Sequence, residues 1–170
     1  MKFSLLPKII VPALADVTED LLHSRGIKLL MLDFDNTIVP YTTSTPTEKM
    51  HAWLEMMAKS GVLLCVVSNS KKDRVKIFCG KYGIPCITHA GKPFTRGIRQ
   101  CLNQFRIPAK EAAIVGDQIY TDTLGGNLAG ITTILVEAID NHNFWLKARH
   151  VLEQPFIFIA RKRRMNHEKH

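Results

Sequence analysis

The sequence lacks the features of several protein classes. Its four cysteines are scattered without a CxxC pair, which argues against a cysteine metal site or a disulfide framework and favours reduced thiols in a cytoplasmic protein. No segment approaches the roughly 18 consecutive apolar residues of a transmembrane helix. The apolar N-terminus is interrupted by Lys8 and stiffened by Pro7 and Pro12, so it is not typical of a secretory signal. We therefore expect a globular protein without a transmembrane segment.

Acidic residues are in the minority, 15 against 23 Lys and Arg, which gives a formal net charge of +8. The excess is concentrated in the last 24 residues, where seven basic residues face two Glu. This imbalance indicates an anionic partner near the C-terminus. The 170 residues fit a single domain. We divide it into an N-terminal arm, residues 1–27, a core, residues 28–136, and a basic tail, residues 147–170.

The central feature is an apolar run, residues 28–32, that ends in two carboxylates, Asp33 and Asp35. A run this short is typical of a strand buried on both faces of a parallel sheet. A buried carboxylate at the end of such a strand requires a positive partner, and Mg²⁺ would be one because it prefers oxygen ligands. The alternative is a simple polar turn that also includes Asn36, since Asp and Asn are common in turns.

Four further apolar runs alternate with helical segments along the chain. The run that contains Pro85 is expected near the sheet edge, because proline cannot donate to the ladder. Consecutive parallel strands require right-handed helical crossovers. The sequence therefore predicts an α/β fold, a doubly wound parallel sheet of about five strands with helices on both faces and no cap domain. The strands are predicted over 28–32, 62–67, 84–87, 112–117 and 131–136. The helices are predicted over 16–26, 45–61, 71–82, from 91–94 to 105, and over 122–130. The second helix begins with a capping box at Thr45, and Gly125 and Gly126 indicate that the last helix packs closely.

Polar residues concentrate where these strands end. Each has an ordinary explanation, since Ser and Asn cap helices and Asp ends strands in turns. Lys92 is harder to explain, because it precedes Pro93 at a predicted helix start, where the helix dipole disfavours a cation. An anion bound beside Lys92 would offset the unfavourable interaction with the helix dipole. A single shared site would explain why polar residues occur at the ends of all these strands. The residues are Asp33 and Asp35, Ser68 and Asn69, Lys92, and Asp117 and Asp122.

These residues, in this order, resemble the four motifs of the haloacid-dehalogenase-like (HAD) phosphatases. The DxDxT motif corresponds to Asp33–Thr37, the Ser or Thr motif to Ser68, the Lys motif to Lys92, and the GDxxxxD motif to Gly116–Asp122. The resemblance covers residues 28–136. The N-terminal arm and the DFDNTIVP segment are most similar to the YqeG branch of the capless subclass III A, which is related to phosphatidylglycerophosphate phosphatases.

The resemblance implies a two-step phosphatase reaction. Asp33 would attack phosphorus to form an aspartyl-phosphate, and Asp35 would protonate the leaving oxygen and then activate the hydrolytic water. A halide leaves without a proton, so Asp35 favours phosphatase over dehalogenase chemistry. The resemblance also implies Mg²⁺ held by Asp33, the Asp35 backbone carbonyl and Asp117, phosphoryl contacts from Ser68, Asn69 and Lys92, and supporting places for Thr37, Gly116 and Asp122.

The gaps between motifs leave no room for a lid domain, and an open site excludes water poorly unless a large substrate covers it. This favours a substrate such as phosphatidylglycerophosphate. Peripheral contact with an anionic phospholipid membrane would suit the segment Phe156–Ile159 and the basic run Arg161–Arg164 that follows it. The alternative for this segment is an apolar part that packs on the core and a solvated basic end.

Two other functional classes share features with this sequence. A receiver domain also carries Asp, Ser or Thr, and Lys at strand ends, but its phosphoacceptor follows the third strand, so the order differs. A basic RNA- or ribosome-associated protein with a vestigial phosphatase site would explain the charge of +8. Its partner would be nucleic acid. This hypothesis is weaker than the phosphatase, because the set of polar residues at the strand ends is complete.

Overall fold

A computed structural model describes residues 4–43, 45–70 and 73–139, together with residues 157 and 159. Within this part of the chain, six strands form one sheet in the order β1-β6-β5-β2-β3-β4. All neighbouring strands are parallel. The strands are β1 (Ile9–Ile10), β2 (Leu29–Leu32), β3 (Leu63–Val67), β4 (Cys86–Ile87), β5 (Ala112–Gly116) and β6 (Thr132–Leu135).

Helices connect the strands. The hydroxyl of Thr18 caps the first by accepting a hydrogen bond from the Leu21 amide at 3.2 Å, and Thr47 caps the second by accepting from the Met50 amide at 3.3 Å. The cap predicted at Thr45 is therefore two residues early. The helices are α1 (Glu19–Ser24), α2 (Glu48–Lys59), α3 (Asp73–Tyr82), α4 (Arg96–Phe105) and α5 (Leu124–Ala129), with 3-10 turns at Leu14–Asp16 and Ala109–Glu111 and a π-helical turn at Ile119–Thr123.

The predicted doubly wound sheet is confirmed, but it has one more strand than the five expected. The additional strand is β1, which comes from the N-terminal arm and pairs with β6, Ile9 opposite Ile134 and Ile10 opposite Leu135. The Val11 amide extends this pairing by donating to the Leu135 carbonyl at 3.1 Å. A two-residue strand has no periodicity of its own, so it forms only because the edge of β6 offers unpaired backbone groups.

The hydrophobic core lies on both faces of the sheet. Along β2, Leu30 and Leu32 join the cluster packed by α1, α2 and α3, whereas Leu29 and Met31 join the cluster packed by α4. All four side chains are 0% exposed. Burial on both faces explains why β2 is a continuous apolar run without alternation.

The last helix packs closely on the sheet, as its two glycines predict. A side-chain carbon at Gly126 would lie 2.5 Å from Cγ2 of Thr133 and 2.7 Å from Cγ2 of Ile114. A larger residue at this position would therefore push α5 away from β5 and β6. The helix predicted over 122–130 begins inside the π-helical turn, and its α-helical part starts at Leu124.

The edge position predicted for the strand with Pro85 is confirmed, since β4 ends the strand order. Among the described residues, no helix is long and apolar enough to span a membrane. The basic tail, residues 147–170, lies outside the described residues apart from Ile157 and Ile159. The predicted helix start at residues 71–72 also lies outside them.

Candidate active site

The candidate site lies where the three central strands end. The sheet order places β5, β2 and β3 side by side, so Asp117, Asp33 and Ser68, which follow their carboxyl ends, lie along one edge. Ligands of open α/β sheets bind outside this edge. Backbone bonds fix two of these positions, because the Asp33 amide donates to the Val115 carbonyl and the Ser68 amide to the Ile87 carbonyl, each at 2.9 Å.

Three carboxylates converge at this edge. One side-chain oxygen from each of Asp33, Asp117 and Asp122 lies within 4.8 Å of the other two, and the residues are only 5%, 9% and 2% exposed. Buried anions this close repel one another unless a cation lies among them. Three hard oxygen donors fit Mg²⁺, and the group includes Asp122, for which the resemblance implies a supporting place only.

Gly116 makes this convergence possible. A side-chain carbon at Gly116 would lie 2.4 Å from both Cγ and Oδ2 of Asp122. The Asp122 carboxylate therefore occupies the space that any other residue would fill. The same carboxylate accepts hydrogen bonds at 3.3 Å from the Gln118 amide and from the Thr121 hydroxyl, which hold it against the end of β5.

Lys92 bridges two of the three carboxylates. Its Nζ donates to Oδ1 of Asp33 and to Oδ1 of Asp122, each at 2.6 Å, and its side chain is 1% exposed. Burial acts to lower the pKa of Lys92, but Asp122 and Asp33 outweigh it and raise that pKa above the ordinary value. Burial raises the pKa of Asp33 to about 7, although Lys92 opposes the shift.

The helix-dipole argument for Lys92 is wrong in its premise, because α4 begins at Arg96 and not beside Lys92. The cation is instead held by its two carboxylate partners. Asn69, for which the resemblance implies a phosphoryl contact, pairs its side chain with the backbone of Lys92. Its Oδ1 accepts from the Lys92 amide and its Nδ2 donates to the Lys92 carbonyl, each at 2.8 Å. Both ends of the Asn69 amide are thus used to fix the backbone of Lys92.

Ser68 follows β3 and Thr37 lies in the loop after β2, and both are nearly inaccessible, at 1% exposure each. The Ser68 hydroxyl accepts a hydrogen bond from the Ser70 amide at 3.0 Å. The Thr37 hydroxyl donates to Oδ1 of Asp117 at 3.3 Å, which links the loop after β2 to the loop after β5. The first contact fixes the Ser68 hydroxyl within its own loop, and the second joins two strand ends of the site.

Asp35 does not belong to the group of three carboxylates and has a different cationic partner. Its Oδ1 accepts from Nη2 of Arg74, and the two side chains are 15% and 14% exposed. Sequence reasoning missed Arg74. The signal was available, because Arg74 lies in the first turn of α3, where the helix dipole disfavours a cation that has no anionic partner.

Comparison with known proteins identifies the family. The Bacillus subtilis (strain 168) protein named Probable phosphatase YqeG is 34% identical over 136 residues, which cover 80% of this chain and 79% of that protein. The chain is a HAD-like phosphatase. The mitochondrial phosphatidylglycerophosphatase of Saccharomyces cerevisiae is 32% identical over 143 residues, 73% of each chain. A family model described as HAD-hydrolase-like matches residues 89–143 of this HAD-like phosphatase.

A solved structure shares the fold of this HAD-like phosphatase. It is the cobalt-bound deoxy-D-mannose-octulosonate 8-phosphate phosphatase of Haemophilus influenzae, with a TM-score of 0.52 and 13% identity over 66% of this chain and 69% of that one. The relatives confirm the YqeG and phosphatidylglycerophosphate phosphatase type that the motifs predict. The chain is accordingly a phosphoric monoester hydrolase.

Proposed function

We propose that the protein hydrolyses phosphomonoesters through an aspartyl-phosphate on Asp33, with Mg²⁺ as its cofactor. One observation carries the proposal: the Asp33 carboxylate lies among two other buried carboxylates with the Lys92 ammonium 2.6 Å away. A nucleophilic carboxylate that attacks a phosphate must overcome repulsion between anions, so it requires concentrated positive charge. The alternative of an RNA-binding protein with a vestigial site gives no reason for this arrangement.

The reaction would proceed in two displacements at phosphorus. A carboxylate oxygen of Asp33 attacks, the bond from phosphorus to the ester oxygen breaks, and that oxygen receives a proton from Asp35. Water then attacks the aspartyl-phosphate and transfers a proton to Asp35, which releases inorganic phosphate and restores Asp33. Lys92 neutralises charge on Asp33 and, with Ser68, contacts the phosphoryl oxygens.

The side chains of Asp33, Asp117 and Asp122, together with the backbone carbonyl of Asp35, would hold the cofactor. Bound Mg²⁺ would supply positive charge that offsets these carboxylates and polarises the phosphoryl oxygens. A ligand that binds the folded chain raises its melting temperature. We therefore expect millimolar Mg²⁺ to stabilise the protein against heat and the Asp117→Ala variant to need more metal for the same shift. If the melting curve of the wild type does not change even in about 10 mM Mg²⁺, the cofactor assignment is contradicted.

The reaction is tested by measuring phosphate release from p-nitrophenyl phosphate in MgCl₂ and in EDTA. Turnover in MgCl₂ only, together with radiolabel on the peptide that contains Asp33 after acid quenching, is the expected result. The reaction is quenched with acid because acyl phosphates hydrolyse more slowly in acid than in base. Turnover with label on another residue would overturn the role of Asp33, and a lack of Mg²⁺-dependent release from aryl and alkyl phosphates alike would overturn the enzyme reaction.

For the substrate, we propose a phosphorylated lipid head group of the phosphatidylglycerophosphate class. The named activity of the yeast relative supports this class, as does the short connection between β2 and α2, residues 33–47, which contains no inserted domain. Phe94 adds to the argument, because it follows Lys92 by two residues and is 78% exposed. An exposed aromatic side chain beside an open site suits contact with a bilayer interface.

The substrate proposal is tested with phosphatidylglycerophosphate in anionic vesicles against soluble glycerol 3-phosphate. We expect faster hydrolysis of the lipid, and we expect Phe94→Ser to reduce lipid hydrolysis only. Leu63→Ser is the matched control, since Leu63 is 42% exposed but starts β3 at the opposite edge of the sheet. Equal rates on both substrates, or equal losses in both variants, would contradict the lipid proposal and favour a soluble phosphate.

The basic run Arg161–Arg164 would add electrostatic attraction to the same membrane, at about 1 kcal/mol for each cation near the surface. This run lies outside the described residues, so its sequence alone supports the proposal. Replacing its four residues with Ser should weaken vesicle binding and spare p-nitrophenyl phosphate turnover. Binding of the wild type to RNA in preference to anionic vesicles would instead favour a nucleic-acid partner.

A further inference from the structure

Arg74 joins α3 to the loop after β2, which lies more than 30 residues earlier in the chain. From the first turn of α3, its Nη2 donates to Oδ1 of Asp35 and, at 3.3 Å, to the carbonyl of Pro40. Its Nη1 donates to the carbonyl of Tyr41 at 2.7 Å. Its guanidinium carbon lies 5.1 Å from the centroid of the Phe34 ring. One side chain therefore contacts the loop after β2 at four points.

These contacts leave Arg74 little freedom. Its side chain is 14% exposed, and packing over an aromatic ring restricts rotation of the guanidinium group. The start of a helix also disfavours a cation, so the bonds to Asp35 and to the two carbonyls must offset that cost. An arginine placed there for solubility alone would point into solvent.

The backbone around Asp35 is fixed separately from its side chain. Asp35 forms an isolated parallel bridge with Val39, and the Asn36 amide donates to the Val39 carbonyl at 2.7 Å. These bonds hold the turn but do not set the direction of the Asp35 carboxyl group. Within the described residues, the contact that sets this direction is the hydrogen bond from Arg74.

We propose that Arg74 is a positioning residue that orients the carboxyl group of Asp35 for proton transfer. The proposal rests on the acid–base role proposed for Asp35. A carboxyl group has two oxygens, and a fixed bond from Arg74 to Oδ1 leaves Oδ2 to face the ester oxygen and then the water. The guanidinium fork suits this task, because its planar donors reach the carboxylate and the loop carbonyls together, which a lysine ammonium cannot reproduce.

The test uses the dependence of kcat/KM on the leaving group. This parameter includes the step in which the ester bond breaks, and protonation by Asp35 matters most for a poor leaving group. We expect Arg74→Ala to lower kcat/KM for glycerol 3-phosphate by about 100-fold, the lower end of the range for general acid catalysis. For 2,4-dinitrophenyl phosphate, whose phenolate leaves without a proton, the loss should be about threefold or less on the same basis. Equal losses on both substrates would overturn the positioning role.

A double-mutant cycle identifies the residue through which Arg74 acts. In the Asp35→Asn background there is no acid to orient, so adding Arg74→Ala should change kcat/KM for glycerol 3-phosphate by less than about twofold. Multiplicative losses in the double variant would show that Arg74 acts independently of Asp35, and would overturn the inference. Far-ultraviolet circular dichroism and thermal melts establish that each variant is folded.

Two further variants separate the contribution of Arg74 from other effects. Lys76→Ala is the matched control, since Lys76 is an exposed cation on the same helix, and its activity should match wild type on both substrates. Arg74→Lys keeps the charge and guards against loss of folding in the alanine variant; it should show the same dependence on leaving group. Failure of the proposed function is distinguishable, because it would appear as unchanged turnover in Asp33→Asn, whereas failure of this inference leaves Asp33 essential.

Discussion

Asp33 and Asp35 are separated by one residue, yet their surroundings differ. The Asp33 side chain is 8% exposed and lies with Asp117 and Asp122 against a lysine from the segment before α4. The Asp35 side chain is 15% exposed and contacts an arginine from α3. The chain leaves the strand after Leu32, so the two carboxylates reach different neighbours. These different partners agree with the roles proposed for the two carboxylates, nucleophilic attack for Asp33 and proton transfer for Asp35.

The largest expected effect comes from removing the inner carboxylate of this pair. Asp33→Asn retains the shape of the side chain but removes the nucleophile, so we expect kcat to fall by at least about 10⁴-fold, as losses of catalytic nucleophiles do. Phosphate release under saturating p-nitrophenyl phosphate measures this. Circular dichroism should match wild type. Residual turnover above a few per cent would contradict covalent catalysis by Asp33.

Changing the outer carboxylate should have a smaller effect. Asp35→Asn removes the proton donor and acceptor but leaves the nucleophile, so we expect a loss of about 10²- to 10⁴-fold in kcat. Radiolabel from an aryl phosphate should still reach Asp33 slowly, because a good leaving group requires little protonation. The comparison between the two carboxylates fails if Asp35→Asn prevents labelling as completely as Asp33→Asn does.

The sheet could be predicted because its strands are short apolar runs that end in polar residues. β2, β3 and β5 lie in the middle of the sheet. Burial of all of β2 and β5, and of the last three residues of β3, explains why they are apolar segments without alternation. β1 could not be predicted in the same way. Its two residues, Ile9 and Ile10, become a strand through pairing with β6, and such an edge depends on how the whole chain folds.

The candidate site could be predicted as far as its strand ends. Because parallel strands bring their carboxyl ends to one edge of the sheet, the sequence predicts that Asp33, Ser68, Lys92 and Asp117 come together there. Contacts between side chains from different loops do not follow in this way. The hydrogen bond from Arg74 to Asp35 spans 39 positions, and the two bonds between Asn69 and the backbone of Lys92 span 23. No sequence pattern predicts contacts at these separations.

The two cations should differ in their contribution to folding. Lys92→Met leaves Asp33 and Asp122 buried without their cation, and breaking a buried ion pair costs about 3–5 kcal/mol. Arg74→Met removes contacts that water partly reaches, so we expect a smaller loss of about 1–2 kcal/mol. Urea unfolding in metal-free buffer measures both free energies of unfolding. If the two variants lose the same free energy of unfolding, or if Arg74→Met loses more, the deeper burial of Lys92 does not make its ion pairs more important for folding than those of Arg74.

The smallest expected effect concerns the hydrogen bond between the loop after β2 and Asp117, a proposed metal ligand. The Thr37 hydroxyl donates to Oδ1 of Asp117, and partners that orient a ligating carboxylate contribute about 10- to 100-fold in metal affinity. Since this bond is long, at 3.3 Å, we expect Thr37→Val to raise the Mg²⁺ concentration for half-maximal activity by about tenfold, the lower limit of that range.

The matched control for Thr37→Val is Thr133→Val. Thr133 is as buried as Thr37, at 0% and 1% exposure, and its hydroxyl donates to Oδ1 of Asn127 at 3.3 Å, away from the carboxylates. Thr37→Val loses one hydrogen bond, whereas Thr133→Val loses two, because the Thr133 hydroxyl also accepts from the Lys8 amide at 3.1 Å. Thr133→Val should therefore be destabilised at least as much as Thr37→Val, by about 1 kcal/mol for each bond, but only Thr37→Val should need more Mg²⁺. If both variants keep the wild-type Mg²⁺ dependence, the Thr37 hydroxyl does not orient Asp117; if both shift equally, the shift reflects weakened folding and not the geometry of the metal ligands.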